Sequence, residues 1–276
     1  MAVDLHIHSI ASDGSLAPEE IVEEAWALGL TAIAIADHDV LAAVEPAGRR
    51  GEAVGLPVIP AVEISTDYQQ SEVHILGYWV DPSDAELEAE LQHIRDGRII
   101  RARRLVERLR ALGVKLELED VLREARGASV GRPHVAAALV RAGVCGSPRD
   151  AFDRYIGKNG PAYVPRVRPS VAEAIQVIVR AGGCPVLAHP ALVYGQPRIV
   201  QDIARLGVQG VEVYHPKHTP GHIQTLLRVT RSLGLLATGG SDSHGAGGSD
   251  PVPIGAADVP DDCAVGLAQW RRQRDG

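Results

Sequence analysis

Seven short apolar runs, each bounded by turn signals and separated from the next by an amphipathic stretch, constrain this chain more than any other feature. They are Val3–His8, Thr31–Ala36, Pro57–Ile64, Val73–Val80, Pro185–Ala188, Gly210–Tyr214 and Leu235–Thr238. Brief hydrophobic strands alternating with helices are the pattern of a parallel sheet covered on its faces. Pro18 to Leu28 reads as a covering helix, with Pro at its start and Gly29 past its end. Ser170–Ala181, Arg198–Leu206 and Gly221–Leu233 read the same way. The rhythm breaks between Asp84 and about Arg168, where helical periodicity runs through Ala85–Leu112, Leu118–Arg126, Arg132–Ala142 and Ser147–Tyr155. The expectation is an α/β domain over 1–83 and 169–276, interrupted between its fourth and fifth strands by a helical insertion over 84–168. At 276 residues and 45% hydrophobic content, the chain has ample core for both.

Composition removes several classes of function. A formal charge of −7 argues against a protein that coats nucleic acid through a generally basic surface, so no stable DNA binding is expected. The Arg-rich stretch Arg95–Arg110 reads as a solvated helix face, and His93 as a surface residue. No apolar run is long enough to cross a bilayer. A His-rich strand begins almost at once, so no signal peptide is expected. Cys145, Cys184 and Cys263 are odd in number and lack a metal-type spacing, which makes a reducing cytoplasm the expected setting. The richer signal is histidine, with 11 copies.

In Asp4-Leu-His6-Ile-His8, period-2 alternation puts the acid and both imidazoles on one face and Val3, Leu5 and Ile7 on the other. Burying that much polarity without a compensating cation is costly. The same residue types recur near the other strand ends. Asp37-His38-Asp39 closes the second strand, Glu63 the third, and His74 starts the fourth; His189-Pro190 follows the fifth, His215 the sixth, and Ser241-Asp242-Ser243-His244 the seventh. In parallel α/β folds, reactive groups gather where the carboxyl ends of strands meet their loops.

These motifs, together with the Ser-Asp13-Gly turn, resemble the PHP family, named for polymerase and histidinol phosphatase. The resemblance runs from residue 4 to 244, outside the insertion and the tail, and is strongest to stand-alone bacterial phosphoesterases with a helical insertion. It implies a distorted (β/α)7 barrel with a helical cap and a site for three divalent ions. Carried over position by position, His6, His8, Glu63 and Asp242 would hold the first ion. Glu63, bridging, with His74 and His189 would hold the second, and Asp13, His38 and His244 the third. Six cationic charges against three carboxylates would leave a surplus of roughly three, suited to phosphate oxygens and to activating a hydroxide. Manganese is the expected metal, and the ligand types also admit iron or zinc.

Asp37 and Asp39 read as hydrogen-bonding partners that orient His38 or a neighbouring ligand. His215 and His218 have no reserved ligand place and read as candidates for substrate contact or protonation of the leaving alcohol. Substrate choice is assigned to the insertion and the segment after it. There Arg132 and His134 open a helix, while Lys158, Arg166 and Arg168 lie on a Gly/Pro-rich connection able to grip a second, non-reacting phosphate. The expected function is a phosphoesterase acting on nucleoside 3′,5′-bisphosphates or the 5′ ends of short single-stranded RNA. The alternatives are a histidinol-phosphate phosphatase, a non-catalytic metal-binding regulatory module, or an amidohydrolase, for which only Lys217 lies near a strand end as a carboxylated lysine.

Overall fold

A computed structural model describes residues 2–69, 71–125, 129–165, 168–193, 198–246 and 251–276. The described residues form two compact units, 1–91 with 169–276, and 92–168. The dividing point falls inside one long helix, eight residues later than the sequence expectation of 84.

The first unit holds seven strands: β1 (Asp4–Ile7), β2 (Ile33–Ile35), β3 (Val58–Tyr68), β4 (Ser71–Tyr78), β5 (Cys184–Leu187), β6 (Gly210–Tyr214) and β7 (Leu236–Gly239). They pair in sequence order, and a bridge from Ile7 to Ser243 brings the chain after β7 back against β1, so the sheet nearly closes into a barrel. Every expected run overlaps a strand, but the sheet is mixed. β4 lies antiparallel to both β3 and β5. β3 also runs four residues beyond Ile64, because backbone pairing of Ser65–Tyr68 with β4 continues after the apolar pattern has stopped. Glu63 and His74 therefore sit within strands, where terminal positions were expected.

The covering helices are α1 (Pro18–Ala27), α2 (Val44–Val54), α7 (Val171–Arg180), α8 (Arg198–Ala204), α9 (Pro220–Ser232) and α10 (Asp262–Asp275). Two of them, α2 and α10, escape the hydrophobic pattern. In α2, a Cβ on Gly51 would lie 2.5 Å from the Leu56 carbonyl oxygen, so close packing selects a residue that pattern reading takes as a helix breaker. α10 packs Cys263 and Leu267 into a core shared with Leu5, Ala34, Leu76 and Val186.

The second unit contains most of α3 (Ala85–Ala111) with α4 (Leu118–Ala125), α5 (Arg132–Arg141) and the short α6 (Pro148–Ala151), which continues as a wider turn over Phe152–Ile156. It has its own core, including Leu105, Leu109, Val121, Val135, Leu139 and Ile156. His93 is exposed on α3, as expected.

Candidate metal centre

Alternation along β1 buries Asp4, His6 and His8 almost completely. The Asp4 carboxylate accepts the N–H groups of Ser241 and Gly255, each at 2.8 Å, and so ties β1 to the segment after β7. That segment passes so close that a Cβ on Gly240 would lie 2.4 Å from the His6 backbone nitrogen, which only glycine avoids. Asp242 follows with φ 53°, a left-handed conformation that is strained for a residue other than glycine and is held by its N–H donating to the His6 carbonyl at 2.8 Å. Its Oδ1 then lies 3.1 Å from His8 Nε2 and 3.6 Å from His6 Nε2.

Asp37 acts elsewhere than on His38. Its carboxylate accepts from the Ser9 N–H (2.7 Å) and from the hydroxyls of Ser9 (2.6 Å) and Ser12 (2.5 Å), which fixes the loop that presents Asp13. The serines directly follow the first apolar run, but nothing in the local pattern pairs them with an acid 25 or more residues later. Asp39, at φ 57°, accepts the Ser65 N–H at 3.1 Å and pins β3 beside His38.

Glu63 is the hub. Its Oε1 lies 2.9 Å from His74 Nδ1 and 3.1 Å from His189 Nε2. Its Oε2 lies 2.9 Å from His38 Nδ1 and 3.4 Å from both His6 Nε2 and His8 Nε2. His244 Nε2 approaches Asp13 Oδ1 at 3.4 Å, and the His8 and His244 rings stack with centroids 4.2 Å apart. The nine expected positions thus come from distant parts of the chain into one cluster.

The donor set suits divalent cations. Three groups bring candidate ligand atoms within 4.8 Å of one another: His8, Asp13, His38 and His244; His6, His8 and Glu63; and His38, Glu63 and His74. Glu63 Oε2, His38 Nδ1 and His189 Nδ1 are buried without a hydrogen-bond partner. Oε2 and His38 Nδ1 are close enough to bond but not aligned for it, an arrangement expected of two donors directed at a common ion.

Charge coupling in the cluster is strong. Burial opposes ionisation of Glu63, but the His38, His74 and His6 rings outweigh it and hold the carboxyl well below its ordinary range. Asp242 and Asp13 are likewise held low against burial, chiefly by His6 and His38 respectively. Burial also opposes charge on His74 and His244, yet Glu63 raises the first to about 10 and Asp13 raises the second to about 9. Burial and then His244 push His8 down.

A pH dependence follows for the ion-free protein. His6, raised well above its ordinary value against burial by Glu212 and Glu63, holds a proton at pH 7–8, as do His74 and His244; a cation must displace them, so uptake should release about three protons per chain. The contribution of His74 and His244 to ion-free stability is complete below 6.5 and is lost as pH rises through 9 and 10. Cation affinity should strengthen over the same interval. Calorimetry at pH 8 in buffers of unlike ionisation enthalpy reads the protons directly, and uptake without release contradicts the expectation.

Beside the cluster, His215 and His218 are both buried, and His215 Nε2 lies 3.4 Å from Asp242 Oδ2. Sequence reasoning passed over Glu212, a fully buried carboxylate 3.0 Å from His6 Nδ1. An acid inside the apolar run Gly210–Tyr214 was the available signal.

In the helical unit, Arg132 opens α5 with its guanidinium 5.4 Å from the Phe152 ring centroid and 5.9 Å from that of Tyr163. His134 Nδ1 accepts the Gly131 N–H at 3.0 Å and caps the same helix. Lys158 is exposed and Arg168 half-buried. Arg166 lies outside the described residues.

The PHP domain family matches residues 4–115. The chain is 34% identical over 255 residues to the 3′,5′-nucleoside bisphosphate phosphatase of Chromobacterium violaceum, covering 90% of each protein. It is 36% identical over 249 residues to the 5′-3′ exoribonuclease Rnm of Escherichia coli, covering 87% of this chain and 84% of that one. A solved Bifidobacterium adolescentis structure, described as a metal-dependent phosphoesterase, superposes with a TM-score of 0.83 at 34% identity, covering 98% of this chain and 96% of its own. With seven strands closing around a histidine and carboxylate cluster, and with likeness along nearly the whole length of these proteins, the chain belongs to the PHP family of metal-dependent phosphoesterases.

Proposed function

We propose that this chain hydrolyses phosphate esters of nucleotides, namely nucleoside 3′,5′-bisphosphates or the 5′ ends of short single-stranded RNA. The observation that carries the reading is the convergence of five imidazoles on one buried carboxylate, Glu63, in a chain similar to relatives with those two activities. The proposed cofactor is three divalent ions, with manganese the first choice over iron and zinc. The assigned ligands are His6, His8, Glu63 and Asp242; Glu63, His74 and His189; and Asp13, His38 and His244. Such ions neutralise phosphoryl charge and make water a competent nucleophile near neutral pH. The three cysteines are free and buried, which fits a reducing cytoplasm.

The protein's own groups then divide the remaining work. His215 Nδ1 accepts the Lys217 N–H at 3.1 Å, so the neutral ring keeps its proton on Nε2, beside Asp242. That N–H is assigned as the donor to a phosphoryl oxygen or the leaving alcohol. His218 is fixed the other way, donating from Nδ1 to the Val213 carbonyl at 2.8 Å, and burial lowers its pKa. We assign it the packing of His215, whose ring centroid is 5.1 Å away. Arg132, His134, Lys158, Arg166 and Arg168 are the proposed contacts for a non-reacting phosphate.

The test is phosphate release from a 3′,5′-bisphosphate, a 5′-monophosphate, short 5′-phosphorylated RNA and histidinol phosphate. Arg132→Ala should weaken turnover of the bisphosphate about 10- to 100-fold, the value of a charge-assisted hydrogen-bond pair, and spare the monophosphate. Equal losses on both remove the second-phosphate role. Release confined to histidinol phosphate overturns the nucleotide reading.

A further inference from the structure

We propose that Glu212 is a positioning residue that sets the tautomer of His6 and holds the backbone of His189, so that one carboxylate prepares two ligands of different ions. The inference rests on the metal-ion reading above. Glu212 sits in the middle of β6 between Val211 and Val213, opposite Thr238 of β7, and is wholly buried. A carboxylate there is costly unless directed bonds compensate it.

Both of its oxygens are used. Oε1 lies 3.0 Å from His6 Nδ1, and Oε2 accepts the His189 backbone N–H at 2.7 Å. An ionised carboxylate only accepts, so His6 must present a proton on Nδ1. In the neutral ring, that leaves the lone pair on Nε2. Nε2 faces His8 Nε2 at 3.1 Å, Glu63 Oε2 at 3.4 Å and Asp242 Oδ1 at 3.6 Å. The wrong tautomer would direct an N–H into the ion position.

The second bond acts on a strained backbone. His189 has φ 26° and ψ 55°, outside the ordinary regions for a residue with a side chain, and such a conformation persists only when its surroundings enforce it. The Oε2 bond is one such restraint, and it aims His189 Nε2 at Glu63 Oε1, 3.1 Å away. Carboxylate partners of metal-binding histidines fix ring orientation, and their loss typically weakens metal affinity 10- to 100-fold.

Glu212→Gln is the informative variant, because it keeps shape and removes one acceptor. Its amide oxygen can serve the His189 N–H, which has no alternative form. The amide NH2 then faces His6 Nδ1, which can accept only by moving the ring proton to Nε2 and surrendering the lone pair. Equilibrium dialysis with manganese should show at least one ion bound 10- to 100-fold more weakly than in wild type. In zinc-loaded protein labelled with 15N-histidine, long-range NMR correlations should place the His6 proton on Nδ1 in wild type and on Nε2 in the variant. Glu212→Asp keeps the charge one methylene short, should retain the Nδ1 tautomer, and carries the same measurements if the Gln protein fails to fold. Wild-type manganese affinity in Glu212→Gln, or a wild-type His6 protonated on Nε2, overturns the proposal and leaves the metal-ion reading intact. A wild-type protein that binds no manganese or zinc overturns both.

Discussion

Replacing Glu63 with Gln is expected to lower kcat/KM for phosphate release by roughly a thousandfold or more, at any metal concentration. The side chain is about 1% exposed and approaches five imidazoles, so no other residue can take its place by a small movement. The amide carries no charge and turns an NH2 toward ring nitrogens that would otherwise meet an acceptor. Stabilisation of transition-state charge by metal ions is worth several kcal/mol, and each 1.36 kcal/mol is tenfold in rate. A second consequence is separable from activity. In the ion-free protein Glu63 is the counter-charge of the cluster, and breaking a buried ionic pair on one side costs about 3–5 kcal/mol. Because its carboxyl is held low, this contribution is present above 4.5 and is lost as pH falls through the depressed folded-state value. Denaturant titration should therefore show a deficit at pH 7 that narrows in acid. A variant with near wild-type kcat/KM at saturating manganese would remove Glu63 from the centre of the reaction.

Stripping the protein with a chelator should abolish phosphate release, and returning manganese should restore it. The same cycle should move the melting temperature. A ligand that binds only the folded state at a thousand times its Kd stabilises by about 4.1 kcal/mol, and for a chain of this length each kcal/mol is worth about 2–4 °C. A shift on the order of 10 °C between stripped and loaded protein follows. The atoms responsible include those left without partners when no ion is bound, Glu63 Oε2 and His38 Nδ1. Scanning calorimetry read beside a phosphate-release assay tests both effects. Full activity in protein holding far less than one ion per chain contradicts them.

Much of this was legible from local pattern. All seven apolar runs overlap strands, and Gly210–Tyr214 matches its strand end to end. The helical stretch after Asp84 is helical, because 3.6-residue periodicity with no strand-like interruption leaves few alternatives. The errors have specific causes. β4 was expected to be parallel because an apolar run does not encode direction; here β3 and β4 pair antiparallel, with Tyr68 opposite Ser71. α2 carries Gly48 and Gly51, which lower helix propensity, and Gly51 permits close packing against Leu56 and Val58. For Asp37, expected to orient His38 or a neighbouring ligand, the partner stayed open, because adjacency in sequence does not show that its acceptor oxygens meet serines 25 and 28 residues upstream, in the loop that presents Asp13.

Sequence alone determined the strands, the helical insertion and the residue types that bear on chemistry, because alternation and turn residues act within a few positions along the backbone. Tertiary structure decided which of those residues meet. Closure of the barrel through Gly240 sets Asp242 against His6 and His8, and the mixed sheet brings His74 of β4 onto Glu63 of β3. Only the folded chain shows Glu212 facing inward beneath His6, since its neighbours in sequence are apolar and its partners lie 23 and 206 residues away. Local periodicity specifies which face a side chain takes; the charge environment on that face depends on long-range closure of the sheet.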